Sequence, residues 1–528
     1  MLRDARELED GAVIECDMCV VGAGAAGITI ARALLGSGLR VCLLESGGLD
    51  FEEPIQDLYK GQNVGLPYFD LDICRLRLFG GTTNHWEGRC RPFDVIDFEA
   101  RDWVPYSGWP FGLAELEPFY RQAQQICQLG AFIYRGEDWL GDGETLVAFD
   151  PERFENTVWQ YSPPTRFGEV YRTELEQADD VDVVLHASVV EIEADEGLSQ
   201  VAALRLATLE GKRFTARARS YVLACGGLEN PRLLLASNRQ AEDGLGNGHD
   251  VVGRYFMEHP HIVAARALVA DPALMDFYDY DQRVPPRRGQ EVVGCMHLSD
   301  RAQRSEKLLN HDACVTADNV GASGYAALRR IWNSLEQGQA PGDLLADLRT
   351  ALLDIDDTFA GLLGRFGVRE YRSAAGSFRL WSFAEQAPNP DSRVLLDGER
   401  DALGMPRIRL DWRLTELDKR SLLGALEALA KEFGRTGIGR IQIQPWLEDG
   451  SAAWSEELTG GYHPMGTTRM ADDPKRGVVD RDGRVHGIAN LYVTGSSVFP
   501  TGGSANPTLT VVALALRLAE HLKAELSV

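Results

Sequence analysis

The run Tyr462-His463-Pro464-Met465-Gly466-Thr467-Thr468-Arg469-Met470 sets one imidazole among a proline, a glycine and small hydroxyls. A histidine so placed is a metal ligand, a proton acceptor or the filler of a turn. Metal binding needs several ligands at defined spacing, and no second His, Cys or carboxylate pair lies within a turn of His463, so no metal is expected. A Ser/His/Asp hydrolase would want a G-x-S-x-G elbow leading into a helix, and none is present in that form. Downstream, Ser504-Ala505-Asn506-Pro507-Thr508 opens a long apolar run. Asn is an N-cap residue and Pro suits the first helical position, so Asn506 either caps that helix or offers its amide to a ligand at the helix's positive end.

The elements that must position these groups begin at the front of the chain. Residues 18–21 form an apolar run suited to a buried parallel strand; Gly22-Ala23-Gly24-Ala25-Ala26-Gly27 follows, then a helical run over 28–35 and a second strand ending at Glu45. In this order Gly22 makes the tight turn, Gly24 admits a pyrophosphate to the backbone, and Gly27 lets helix and strand pack closely. Glu45 is placed to accept hydrogen bonds from ribose hydroxyls. Two more apolar strands end in Gly/Ser turns, "YVLACGGLENPRLLL" and "NLYVTGSSVFPTGG". Three such strands point to one sheet assembled from distant segments around a long dinucleotide, which makes FAD the expected cofactor.

The rest is organised around that sheet. An amphipathic helix is expected over 113–129, a meander of short strands from 181 onward, and a hairpin within 387–412. A helix opened by Thr415 and closed by Gly434 follows, as does a helical stretch over 341–363; "RVPPRRGQ" reads as a polar loop. The fold class is α/β: a discontinuous Rossmann-type FAD-binding domain (10–104, 170–270 and 465–528) with an α+β substrate-binding domain on an antiparallel sheet (105–169 and 271–464). The formal net charge of −25 argues against nucleic acid or an anionic membrane as partner. No stretch reads as a membrane span. The leading residues are polar and acidic, so a cytoplasmic location is expected, with export alongside a partner subunit left open. Nine scattered cysteines do not suggest a disulfide framework, and Cys16 and Cys19 read as buried thiols.

These motifs, in this order, resemble the glucose-methanol-choline (GMC) flavoprotein oxidoreductases across essentially the whole chain. They are "VVGAGAAG" with Glu45, "RLFGGTTNHWEGRC", "YVLACGGLENPRLLL", "YHPMGTTRM" and "NLYVTGSSVFPTGGSANPTLT". The resemblance implies that His463 is the active-site base and Asn506 its partner, a pairing similar to that of the pyranose oxidase and sugar dehydrogenase branch. It implies FAD contacts from Gly22, Gly24, Ala25, Ala26, Gly27, Glu45 and Ser46, and from Gly80, Gly81, Thr82, Asn84 and His85. Val189, Gly226, Gly495, Ser496, Asn506 and Thr508 complete that set, although many relatives carry an acidic residue at Gly495-Ser496. In pyranose oxidase-like members a histidine before tryptophan is bonded to the flavin, so His85 before Trp86 is a candidate for covalent attachment. His259 and His261 in "VGRYFMEHPH" are expected to be structural or to line the pocket.

The implied activity is oxidation of a secondary hydroxyl of a sugar or glycoside to a ketone, by hydride transfer to flavin N5. The alternatives are a non-sugar alcohol (a polyol, a sterol or a natural-product intermediate) or a flavin-containing lyase with no net redox. The implied electron acceptors are O2, a quinone, or a cytochrome or small subunit.

Overall fold

The computed structural model describes residues 1–141, 143–281, 284–317, 327–328, 331–332, 344–353 and 377–526. Met18–Val21 is apolar and buried at every position, so it has to be covered on both faces and sits inside a parallel sheet. That sheet has six strands in the order Leu2–Asp4, Val181–Leu185, Val41–Leu44, Met18–Val21, Ser220–Leu223 and Leu491–Val493. Every neighbouring pair is parallel. The three strands that end in Gly/Ser turns therefore stand side by side, although they come from the start, middle and end of the chain. The helix Ala25–Ala33 packs on Met18–Val21 and Val41–Leu44 and on the final helix, Thr508–Leu526, which in turn packs on Leu113–Ile126.

The meander expected from 181 onward divides. Val181–Leu185, buried at all but one position, joins the parallel sheet. Ser188–Ala194, Val201–Ala207 and Arg213–Arg217 form an antiparallel sheet to which Val13–Glu15 adds in parallel.

The second large sheet is antiparallel. Its path runs through Gly439–Ile443, His261–Val269, Ser377–Ala384, His311–Ala317, Gln290–Leu298, Phe154–Tyr161 and Arg89–Cys90, with Val284–Arg287 paired to Gln290–Leu298. The "RVPPRRGQ" segment is thus part of a hairpin. Arg288 and Gly289 both have positive φ (52° and 79°), the combination that closes a two-residue turn between Arg287 and Gln290. A third hairpin, Arg393–Arg400 with Pro406–Asp411, takes Gly61–Asn63 alongside.

The long helix runs from Glu416 to Thr436 with a capping box between Thr415 and Asp418. It ends at Gly437, whose φ of 73° is the left-handed cap; Gly434 lies inside the helix. Of the helix expected over 341–363, Leu344–Leu353 is helical and the remainder lies outside the described residues. Among the described residues no helix is long and apolar enough to cross a membrane, and no cluster of His, Cys, Asp and Glu is arranged to hold a metal ion.

Candidate active site

One cavity follows the carboxyl ends of the central parallel strands, from Glu45 and Val189 past Gly24, Gly226 and Gly495 to His463. This is where open α/β sheets bind ligands, because helix N-termini and free backbone amides converge there. Gly22 has φ +98°, and a Cβ on it would meet the Ala224 carbonyl oxygen at 2.9 Å. A Cβ on Gly27 would lie 1.9 Å from the Gly22 carbonyl oxygen, so helix and turn touch there without a side chain. Gly24 is different. A Cβ there meets nothing within 4 Å, and the same holds at Gly226 and Gly495. Three adjacent strand ends thus present bare backbone to open space, which is the cradle a pyrophosphate needs. The residues present fit FAD.

Glu45 is buried and lines this cavity, but its carboxylate is also part of the turn. It accepts the amide N–H of Ala23 and that of Gly47, each at 2.9 Å. Each oxygen retains a lone pair for a ribose hydroxyl. Ser46 and Ser188 share a hydrogen bond of 2.6 Å, and the Arg77 guanidinium donates to Ser46 at 2.7 Å. Arg77, Arg75 and Arg232 surround Glu229 at 3.2, 2.8 and 3.1 Å. Despite its burial, the three guanidiniums hold the Glu229 carboxyl down to about 2. Ala25, Ala26, Gly81, Thr82, Ser496 and Thr508 also line the cavity, whereas Gly27, Gly80, Asn84, His85 and Asn506 do not touch it. Asn84 instead ties its own loop, donating to the carbonyls of Phe79 and Gly81. His85 is exposed, and it is Trp86 that faces the cavity.

His463 is fixed from several directions. Met465 exchanges two backbone bonds of 2.9 Å with Met257, and Gly466 N–H donates to the Ser496 carbonyl at 3.1 Å. The Ser496 hydroxyl donates to the Pro464 carbonyl at 2.7 Å. The backbone N–H of His463 donates to the buried Glu258 carboxylate at 2.8 and 2.9 Å, and so does that of His259 at 2.9 Å. Tyr68 donates its hydroxyl to the same carboxylate at 2.5 Å. Burial pushes the Glu258 carboxyl up to about 7, even though these donors favour its charged form. The His463 ring meets His259 Nδ1 to Nδ1 at 3.0 Å, and His259 Nε2 stands 3.2 Å from the Gly502 carbonyl. Burial, then the neighbouring His259, His261 and Arg89, pull His463 well below 6.5, so it is a neutral imidazole at neutral pH.

The final helix begins at Thr508, and the Val511 N–H returns to the Pro507 carbonyl at 2.8 Å. Asn506 lies one residue ahead of the cap position and is half-buried. Its loop is pinned where Thr501 accepts from the Trp109 indole at 2.9 Å and donates to the Asp97 carbonyl at 2.6 Å, and where Ser504 donates to Asp312 at 3.0 Å. Beyond His463 stands an aromatic wall carried by the antiparallel sheet. The His261 ring lies 4.6 Å from Phe383, which meets Trp159 at 4.7 Å and stacks on Tyr280 at 5.5 Å. The buried Arg89 guanidinium lies over Tyr280 at 4.0 Å and over Phe383 at 5.8 Å, and its Nε and Nη1 have no hydrogen-bond partner among the described residues.

Glu258 and Arg89 escaped the sequence reading. The one available signal for Glu258 was its position directly before the His259-Pro260-His261 pair; Arg89, in the polar run Glu87-Gly88-Arg89-Cys90-Arg91, carried none.

The FAD dependent oxidoreductase family matches residues 17–245, and the GMC oxidoreductase family matches residues 388–515. The 6'''-hydroxyparomomycin C oxidase of Streptomyces lividus is 27% identical, over 96% of this chain and 92% of that protein. The fructose dehydrogenase large subunit of Gluconobacter japonicus is 22% identical, over 96% of this chain and 98% of its own. A C-glycoside 3-oxidase of Microbacterium trichothecenolyticum is 34% identical over 60% of this chain and 49% of its own. The first matched segment carries Gly24 and Gly226 of the cradle, and the second carries Gly495 and His463, which line the same cavity. The chain is an FAD-dependent oxidoreductase acting on alcohols or sugars, and its residues 388–515 match the GMC oxidoreductase family.

Proposed function

We propose that the chain oxidises a secondary hydroxyl of a sugar or glycoside to a ketone, with His463 as proton acceptor and Asn506 as its partner. The observation that carries this is the placing of neutral His463 in the cofactor cavity, backed by an aromatic wall holding a half-satisfied guanidinium. Pyranose rings offer apolar C–H faces to aromatic rings, and Tyr462, Trp86 and Tyr59 line the cavity that holds His463. The sugar and glycoside oxidations named for the relatives point the same way.

FAD, which Gly22, Gly24, Ala25, Ala26, Glu45, Ser46, Thr82, Val189, Gly226, Gly495, Ser496 and Thr508 would hold, would supply an acceptor for the hydride. His463 takes the hydroxyl proton on its ring nitrogen. The burial that keeps it neutral also keeps that lone pair available. Asn506 donates to the oxygen as negative charge gathers there, and so fixes which carbon faces the cofactor. Gly80, Gly81 and Asn84 shape the loop before Trp86. Attachment of the flavin through His85 is a separate proposal, read by whether the yellow colour stays with acid-precipitated protein.

The electron acceptor is O2, a quinone, or a cytochrome or small subunit; the fructose dehydrogenase relative is named as a large subunit. A cytoplasmic location is proposed as well; the nine cysteines are free, the Cys295 and Cys314 sulfurs lying 3.4 Å apart.

Anaerobic mixing with sugars, glycosides and simple alcohols tests the reading. Bleaching by a sugar or glycoside, with a product lighter by two hydrogens and loss of both in His463→Ala that still holds FAD, is the expected result. Bleaching by sterols or simple alcohols alone overturns the substrate class, and no bleaching of a flavin that dithionite reduces favours a lyase.

A further inference from the structure

The two contacts of His259 allow only one arrangement of protons between neutral rings. The Gly502 carbonyl can only accept, so the 3.2 Å contact requires a hydrogen on His259 Nε2. A neutral imidazole carries one N–H, so His259 Nδ1 is then a bare lone pair. The facing atom, 3.0 Å away, is Nδ1 of His463, which must donate. The hydrogen of neutral His463 therefore sits on Nδ1, and its Nε2 lone pair is left bare on the far side of the ring.

The rings are not free to trade this arrangement for another. One carboxylate, that of Glu258, holds the backbone N–H of both histidines. The opposed rings meet edge to face, with centroids 5.1 Å apart at 78°. Gly502 belongs to the loop that continues to Asn506, four residues on. The same contact that orders the His259 proton therefore ties both rings to the segment carrying the partner amide.

We infer that His259 is a positioning residue that selects the His463 tautomer with a free Nε2, by accepting from His463 Nδ1 while donating to Gly502. The inference rests on the reading of His463 as proton acceptor. In the forward step the substrate O–H bond breaks, its proton forms an N–H bond at His463 Nε2, and the C–H hydride leaves to the flavin. The imidazolium so formed keeps its Nδ1–H on His259, and that bond strengthens because its donor is now charged. No ring has to turn during turnover. With the other tautomer, Nε2 would carry a hydrogen and could not take the proton until the ring reorganised.

The test uses the FAD-loaded enzyme and has two readouts. In holoenzyme labelled with nitrogen-15 in histidine, the expected spectrum shows the hydrogen of His463 on Nδ1 and that of His259 on Nε2, with signals assigned by their loss in His463→Asn and His259→Asn. A hydrogen on His463 Nε2 overturns the inference outright. In rapid mixing, His259→Leu removes the acceptor, whereas His259→Asn keeps a carbonyl oxygen close to the Nδ1 position. The limiting rate of flavin reduction is expected to fall about 10²-fold in the leucine variant and to return to within about tenfold of the parent in the asparagine variant. Half-saturation by substrate and FAD content should stay unchanged in both. Equal rates in parent and leucine variant, or equal losses in both variants, overturn the role. Should His259→Leu fail to fold, the spectrum of the parent enzyme decides alone. Failure of the underlying reading looks different: His463→Ala would then reduce its flavin as fast as the parent does.

Discussion

Gly24 and Gly27 lie three residues apart in one turn, and alanine at each should fail for a different reason. At Gly27 the new methyl would sit 1.9 Å from the Gly22 carbonyl oxygen and 3.3 Å from Leu43 Cδ1. The obstacle is backbone, so relief requires the helix Ala25–Ala33 to move off the sheet by more than an ångström. Overpacking of this kind costs about 1–3 kcal/mol, and the absence of a flexible partner puts the value at the upper end. The gain in helix propensity from glycine to alanine, at most about 1 kcal/mol, offsets part of it. At Gly24 the methyl meets nothing within 4 Å, and the backbone angles, φ −83° and ψ −166°, suit any residue. Alanine there removes freedom from the unfolded chain and should leave the apoprotein equally stable or up to about 1 kcal/mol more so. Its methyl, however, occupies the cradle.

Urea unfolding of each protein with and without FAD separates the two cases. Gly27→Ala should lower the apoprotein's stability by about 2 kcal/mol. Gly24→Ala should leave the apoprotein midpoint in place but lose the rise produced by FAD, which in the parent amounts to about 2.7 kcal/mol at a hundredfold excess over Kd. Bound flavin, read from its visible absorbance after desalting, should be depleted in Gly24→Ala. Retention of FAD in Gly24→Ala at parental affinity would refute the assignment of the open space to the pyrophosphate. An unperturbed apoprotein in Gly27→Ala would refute the close packing.

Three further outcomes are expected. Since burial and the neighbouring His259, His261 and Arg89 depress His463, the rate of flavin reduction should hold as pH falls through 6.5 and drop only below it, as the ring gains its proton; a limb above 6.5 would count against His463 as the base. Glu229→Ala removes the carboxylate shared by Arg75, Arg77 and Arg232, of which Arg232 keeps Asp401 at 2.7 Å, and should cost about 3 kcal/mol in urea unfolding. Because the folded carboxyl of Glu229 titrates at about 2 rather than 4.5, its contribution is present above pH 4.5 and should be lost as pH falls from 4.5 towards 2. Asn506→Ala lies outside the helix cap and should change stability by less than about 0.5 kcal/mol while slowing flavin reduction about 10²-fold; a stability loss matching a lost cap would return Asn506 to a structural role.

The parts legible in the sequence are those whose physics is local. A glycine turn between a buried strand and a helix is written in consecutive residues, which is why Gly22, Gly24 and Gly27 are found where their spacing put them. Adjacency of the three Gly/Ser-ended strands could be read because each ended in the same chemistry. The hairpin at Arg288-Gly289 was missed because an arginine at positive φ carries no compositional mark, and polar residues around it read as loop. Val181–Leu185 misled for the opposite reason. Its sequence suits either sheet, and only its burial on both faces assigns it to the parallel one.

The surroundings of His463 were illegible on stronger grounds. Its backbone partner Glu258 is 205 positions away, its ring partner His259 is 204 away, and the carbonyl that orders His259 lies 243 further along. Glu258 and His259 are neighbours, but no short window joins them to His463 or to Gly502, and each has an ordinary role in its own segment. Their meeting also explains why the motif at His463 needs its small residues. Gly461 packs against the rings of His463 and His261, where a Cβ would come within 2.7 and 2.8 Å. Gly466, at φ +83°, turns the chain back beneath Tyr255, whose carbonyl a Cβ would strike at 2.3 Å. The glycines beside the histidine therefore serve the approach of distant protein segments as much as that of a flat ligand. It follows that cofactor retention and proton transfer are separable in this chain: the cradle is built from the parallel strands, whereas the imidazole is oriented by a cluster clamped between Met257 and Ser496.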